Sequence, residues 1–241
     1  HMGVELTHAG KQLLPRMRQI VLDMDKLESE IEDIKGLTSG TLRIASHMSC
    51  SIKWLPPVLK YFRDNYPNVY IEISEAGQKH AVELLHDRSA DIALVSGPFE
   101  EDKIDFMPIY TDPLVVVFPK GHTFEKYDRV PVAELNGKNF IISSDDFDAD
   151  SARNLKAMNL DINIDFTSHN DFSIISMVAQ HMGISILPKL IIDCANNDSI
   201  SWRELDKPRY RTLGIGATSL NELGPVENAF ISALKKVLDL K

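Results

Sequence analysis

The apolar residues Leu13, Met17, Ile20, Met24, Leu27, Ile31 and Ile34 stand alternately four and three positions apart, which is the a/d seam of a coiled coil and the strongest periodicity in the chain. Arg16, Arg18, Asp23, Lys26, Glu28 and Glu30 fill most of the remaining positions, so the predicted helix is solvated on one side and adhesive on the other. Thr7 suits its N-cap, Pro15 removes a backbone bond and predicts a kink near its start, and the run LTSG ending at Gly40 stops it. A seam that precedes any globular pattern predicts a dimerisation helix.

After Gly40 the period changes. Short apolar runs alternate with amphipathic stretches: a strand over 41–45, a helix over 53–66, a strand over 69–74, a helix over 79–86 and a strand over 91–95. Such alternation predicts a parallel sheet with helices on both faces. In the first of these helices Leu55, Val58, Leu59 and Phe62 form the inner stripe, Pro56 and Pro57 fall in a first turn that tolerates them, and Trp54 reads as packing. The passage FMPIYTDPLVVVFP over 106–119 is extended but interrupted by Thr111, Asp112 and Pro113. Because proline is disfavoured inside a sheet, this reads as one strand ending and another beginning, the first crossing between two lobes. The alternation restarts with a strand over 139–142, a helix over 149–158, a strand over 162–167, a helix over 172–181 and a strand over 184–187. Strands over 200–205 and 210–215 return toward the first lobe, and a helix over 225–240 closes the chain.

The expected fold class is therefore α/β, with two βα lobes around a central cleft, preceded by the long linker helix. The corresponding division is 1–38 for the leading residues and helix, 39–112 for the first part of lobe I, 113–208 for lobe II and 209–241 for the return to lobe I. Two lobes joined by extended crossovers suit hinge closure on a small molecule.

Two polar turns follow predicted strands. Ser46, His47, Ser49, Cys50 and Ser51 stand just before a helical pattern, where free backbone N–H groups and the helix dipole favour a carboxylate or phosphate. Ser96, Gly97, Pro98 and Phe99 follow the strand DIALV. In open α/β sheets the binding crevice lies beyond the carboxyl ends of the strands, so the two turns are expected to face one ligand.

The composition, 44% hydrophobic and 25% charged, is that of a globular protein. A formal net charge of −9 argues against this chain gripping nucleic acid through a basic face. Two distant cysteines, Cys50 and Cys194, give neither a disulfide scaffold nor a metal motif and fit a reducing cytoplasm. The opening HMG reads as an expression scar joined to a fragment, no export signal follows it, and no apolar run approaches the length of a membrane span.

LTHAGKQLLPRMRQIV over 6–21 resembles the linker helix of the LysR-type transcriptional regulators, including the proline at Pro15. SGTLRIA, LPPVLKYFRDNYPNVYIEI, LLHDRSADIALVSGP, PLVVVFPKGH and VAQHMGISILP are similar to later segments of that family in order and spacing, across almost the whole chain. The family's N-terminal winged helix-turn-helix would precede Leu6. The resemblance implies a periplasmic-binding-protein-like effector domain, a homodimer or homotetramer, and control of DNA binding by the full protein. It also implies an interlobe ligand site at Ser46, His47, Ser49 and Cys50; at Ser96, Gly97, Pro98 and Phe99; at Ser143, Ser144 and Asp145; and at Ser168, His169, Asn170 and Phe172.

Other chemistry weighs less. Cys50 at a helix start should have a lowered pKa, which would suit a nucleophile or oxidant sensor, but catalysis needs a base that one sequence does not place and Cys194 lacks the nearby partner used by the family's oxidant sensors, so Cys50 reads as a quiet polar lining residue. The eight histidines show no metal-ligand spacing, the stretch HDRSAD over 86–91 reads as a helix end and turn, and SSDDFDAD over 143–150 lacks the ordered ligands of a calcium loop. Neither a metal nor a cofactor is expected. That acidic loop, with no arginine in any lining segment, favours a small ligand with at most one carboxylate, a polar or cationic group toward Asp145 and an apolar part near Phe99 or Phe172. The rival readings are a transport solute-binding protein of the same fold, which has no need of the seam, and a small hydrolase or transferase using Cys50 or Ser49.

Overall fold

The computed structural model describes residues 6–34, 39–99, 104–144 and 149–239. Helix α1 (His8–Ile34) runs through Pro15. Its start is capped as expected, the Thr7 hydroxyl accepting from Gly10 N at 3.1 Å. Strand β1 (Ser39–Ser46) already contains Gly40, so the chain is extended where the sequence pattern placed only a stop.

The helix expected over 53–66 is two helices, α2 (Met48–Lys53) and α3 (Leu55–Asn65). Pro56 and Pro57 lack the N–H groups that would bond back into α2, so one helix ends and another starts at Trp54. Trp54 is buried, edge-on to Tyr110 with ring centroids 5.7 Å apart. Strand β2 (Asn68–Glu75), helix α4 (Gln78–His86) and strand β3 (Ile92–Gly97) complete the first β-α run.

Strand β4 (Asp105–Pro119) is continuous, and this corrects the reading of 106–119 as two strands. Pro108 and Pro113 pair only with the last strand, because β8 joins β4 from Leu114 onward; a proline at such an edge leaves no ladder bond missing on its open side. Beyond it lie β5 (Arg129–Val130), β6 (Asn139–Ser143), α5 (Ala149–Ala157), β7 (Asn163–Ser168), α6 (Asp171–Ala179) and β8 (Ser185–Pro188). Helix α7 (Lys189–Ala195) was not expected; its seven residues are too few to show a period. The two returning strands are one, β9 (Ile200–Ala217), and α8 (Pro225–Val237) closes the fold. No described helix is long and apolar enough to cross a membrane.

The main sheet has the order β2-β1-β3-β9-β4-β8, with β5 added on β9 and β6-β7 forming a separate pair. It is mixed rather than parallel, since β9 runs antiparallel to both β3 and β4. The two long strands cross from lobe to lobe together, and their register jumps from Leu114↔Arg209 to Val115↔Glu204. In the first lobe, Leu42, Ile44, Leu94 and Ile215 pack against α3 and α8, while Ala93 and Val95 pack on the other face against Ala81 and Leu85. The second lobe is built on Leu114, Phe118, Phe124 and Phe140 on one side and on Val115, Ile174 and Ile191 on the other.

Candidate functional site

Parallel strands β1 and β3 end side by side, and this joins the two polar turns of the first lobe. His47 N donates to Leu94 O at 2.9 Å. The His47 Nε2 and Ser96 Oγ atoms are 3.3 Å apart with both residues buried, and the Ser46 hydroxyl donates to His47 O at 3.1 Å. Gly97 is followed by a cis bond to Pro98, and the Phe106 ring lies 2.7 Å from where a Gly97 Cβ would stand. Phe99 packs edge-on to Phe106 and against the small-residue core of the first lobe, so most of its ring is already used.

Ser49 has a different setting. Its Oγ accepts from Arg211 Nη2 at 2.8 Å; the same guanidinium holds Asp112 Oδ2 at 3.0 and 2.8 Å, and Asp112 Oδ1 accepts from Leu190 N at 3.0 Å. Ser49 of α2, Asp112 and Arg211 of the paired strands β4 and β9, and the start of α7 are thus tied into one buried network. Arg211 escaped the sequence reading because it is 99 residues from Asp112 and 162 from Ser49. The only local signal was an arginine entering the apolar run TLGIGA.

Cys50 is fully buried beside Leu55, Leu94 and Leu190. Burial pushes its thiol up to about 12, outweighing the Arg211 charge that acts to lower it. The lowered pKa expected for a helix-start thiol is therefore wrong: desolvation of the thiolate exceeds what a short helix supplies.

In the second lobe β6 and β7 are parallel and end together, Ser143 opposite Ser168. Ser144 Oγ and His169 Nδ1 are 2.7 Å apart, and Ser144 N donates to Ser168 O at 3.0 Å. Asn170 caps α6, its Oδ1 accepting from Ser173 N at 3.1 Å, while its own N donates to Ser168 Oγ. Ser143 is buried, and its Oγ has no hydrogen-bond partner among the described residues. Met48 at the start of α2 and Phe172 at the start of α6 pack on one shared cluster of the second lobe. Asp145 lies outside the described residues. Among the described residues no group of histidine, cysteine and carboxylate side chains is placed to hold a metal.

The family model for the LysR substrate binding domain matches residues 35–239. The chain belongs to this family. The chain is 24% identical to the HTH-type transcriptional regulator YvbU of Bacillus subtilis over 98% of its own length and 80% of that protein. The CcmR regulatory domain of Synechocystis PCC6803, solved in complex with 2-PG, shares the fold with a TM-score of 0.75 at 21% identity, over 82% of this chain and 96% of that one. The effector-binding domain of QuiR, solved in complex with shikimate, has a TM-score of 0.74 at 20% identity, over 84% and 99%. The LysR domain is thus a periplasmic-binding-protein-like, effector-sensing part of a transcription regulator, and the transport-receptor reading is not favoured.

Proposed function

We propose that the effector is a small hydroxylated monoanion or zwitterion held between the His47–Ser96 pair of the first lobe and Ser143, Ser144 and His169 of the second. The observation that carries this is the buried Ser143 hydroxyl without a partner, since a buried polar atom left unpaired is costly unless something else satisfies it. Arg211 does not widen the class toward polyanions, because Asp112 takes up its charge. The shikimate bound by QuiR is a hydroxylated monocarboxylate, which fits this lining. Gly97, Pro98 and Ser168 shape the edge of the cleft on this reading, Phe172 gives it an apolar wall, and Ser46, Ser49, Cys50 and Phe99 support the lining from behind.

The seam of α1 supports a second copy of this chain as partner. Leu13, Met17, Ile20, Met24 and Leu27 are each more than half exposed, an apolar stripe that a single chain leaves in water. Of Ile31 and Ile34 the side chains lie outside the described set. LysR regulators bind DNA through their helix-turn-helix domain, and an effector that prefers one lobe or dimer arrangement shifts the population of the form that grips DNA. This reading assigns no catalytic step to Cys50, because a thiol held protonated is a poor nucleophile. The working compartment is the cytoplasm, where free Cys50 and Cys194 remain reduced.

Calorimetry over amino acids, hydroxylated monocarboxylates, polycarboxylates and small aromatics tests the ligand class. Ser143→Ala should weaken the best ligand about tenfold with the unliganded melting temperature unchanged. Tight binding of a tricarboxylate with no binding of monoanions or zwitterions would overturn the reading.

A further inference from the structure

A second cavity lies away from the cleft, between α1 and the first lobe. It measures about 120 Å³, room for several heavy atoms, and α1 forms one wall with Gln19, Leu22 and Asp23. The opposite wall carries Glu227, in the first turn of α8. Glu227 is 9% exposed, yet it has no hydrogen bond or ion pair among the described residues. Its carboxylate lies against Gly224, where any Cβ would stand 2.7 Å from Oε2. It stands in the first turn of α8, the end of a helix whose amide dipoles favour an acidic side chain.

The cavity lining also holds the guanidinium of Arg88 and the carboxylates of Asp23, Asp91 and Glu222. Asp91 accepts from Arg43 N at 2.7 Å, Arg88 donates to Thr218 Oγ1 at 2.6 Å, and Asp23 accepts from Gln19 of its own helix at 2.7 Å. Leu22, Ala90 and Leu223 add apolar wall between the acidic ends. An anion would meet the carboxylates of Asp23 and Glu227 in one lining, and among the described residues no set of side chains is arranged for a metal. Ammonium groups, with three donors each and little reach, match what is offered.

We infer that the cavity between α1 and the first lobe binds a small aliphatic primary amine or diamine, its ammonium on Glu227 and Asp23 and its methylenes on Leu22 and Leu223. Because one wall belongs to α1, the ligand binds only when that helix is docked on the lobe, and so stabilises the docked arrangement. Arg18 already holds the helix there through Asp87 at 2.9 Å. The amine is thereby an input to the linker helix separate from the cleft effector.

The test is calorimetry of the whole chain with 1,4-diaminobutane in physiological salt, with butane-1,4-diol as the uncharged control. One saturable site for the diamine, none for the diol, and a loss of about tenfold or more in both Glu227→Gln and Asp23→Asn are expected. Asp23 is an exposed residue at the cavity, so its variant remains informative if the buried substitution unfolds the lobe. Amide exchange across 19–23 should slow when diamine is added. No saturable heat up to about 10 mM, equal binding of the diol, or unchanged affinity in the folded variants would overturn the assignment.

Discussion

Arg211 and Asp112 form an ion pair from which water is almost wholly excluded, their side chains 4% and 0% exposed, with Arg211 Nη2 2.8 Å from Asp112 Oδ2. The pair sits on the two strands that cross between the lobes, and it also bonds to Ser49 and to the start of α7. It is a buried polar fastening where the neighbouring Thr111 and Tyr210 are exposed.

Removing one partner leaves the other charged and dry. Arg211→Met should therefore cost about 3–5 kcal/mol, read as a lower urea midpoint at unchanged slope. Adding Asp112→Asn to it should recover much of the loss, because the side-chain amide oxygen still accepts from Leu190 N while the stranded charge is gone. A double variant as unstable as the single one would show that the pair contributes more than the relief of desolvation.

The buried Cys50 thiol should be chemically silent. With a pKa near 12 its thiolate is a trace species at neutral pH, so iodoacetamide on the native protein should modify Cys194 and spare Cys50 by peptide mass spectrometry, with both labelled in urea. The sign of the pH effect follows. The unfolded thiol ionises near 9.0 and the folded one near 12, so above about pH 9 the unfolded chain binds fewer protons and stability falls as pH rises. Cys50→Ala should flatten that alkaline decline. Rapid native labelling of Cys50 would contradict its burial.

Self-association should depend on α1. Met24→Lys together with Leu27→Lys places like charges on residues that are 60% and 57% exposed in the single chain. Sedimentation should show a dimer or larger for the native chain and a weakening of about tenfold or more in the variant, with the melting of the lobes unchanged. A monomer at all concentrations in the native chain would remove the proposed role of the seam.

The alternation of elements was legible because each strand and helix carries its own period. β1, β2, β3, β6, β7 and β8 fall within about two residues of the runs that announced them. The pattern went wrong at prolines and at short elements. Pro113 looked like a break because a sequence does not say which part of a strand is an edge, and α7 was too short to show a helical repeat. His47 and Ser96 were each picked out by their place after a strand, and their approach to 3.3 Å follows from β1 and β3 being parallel neighbours.

The sequence by itself determined the class of the fold, the linker helix with its unpartnered seam, and the polar turns at strand ends, because periodicity and turn chemistry are local properties. Tertiary structure alone decided what those residues face. It buried Cys50 and so raised a thiol that its helix position would have lowered, and it placed Arg211 on Asp112 and Ser49. It also set Glu227 against the cavity beside α1. Desolvation and pairing depend on neighbours brought from distant parts of the chain, and no local pattern carries that information.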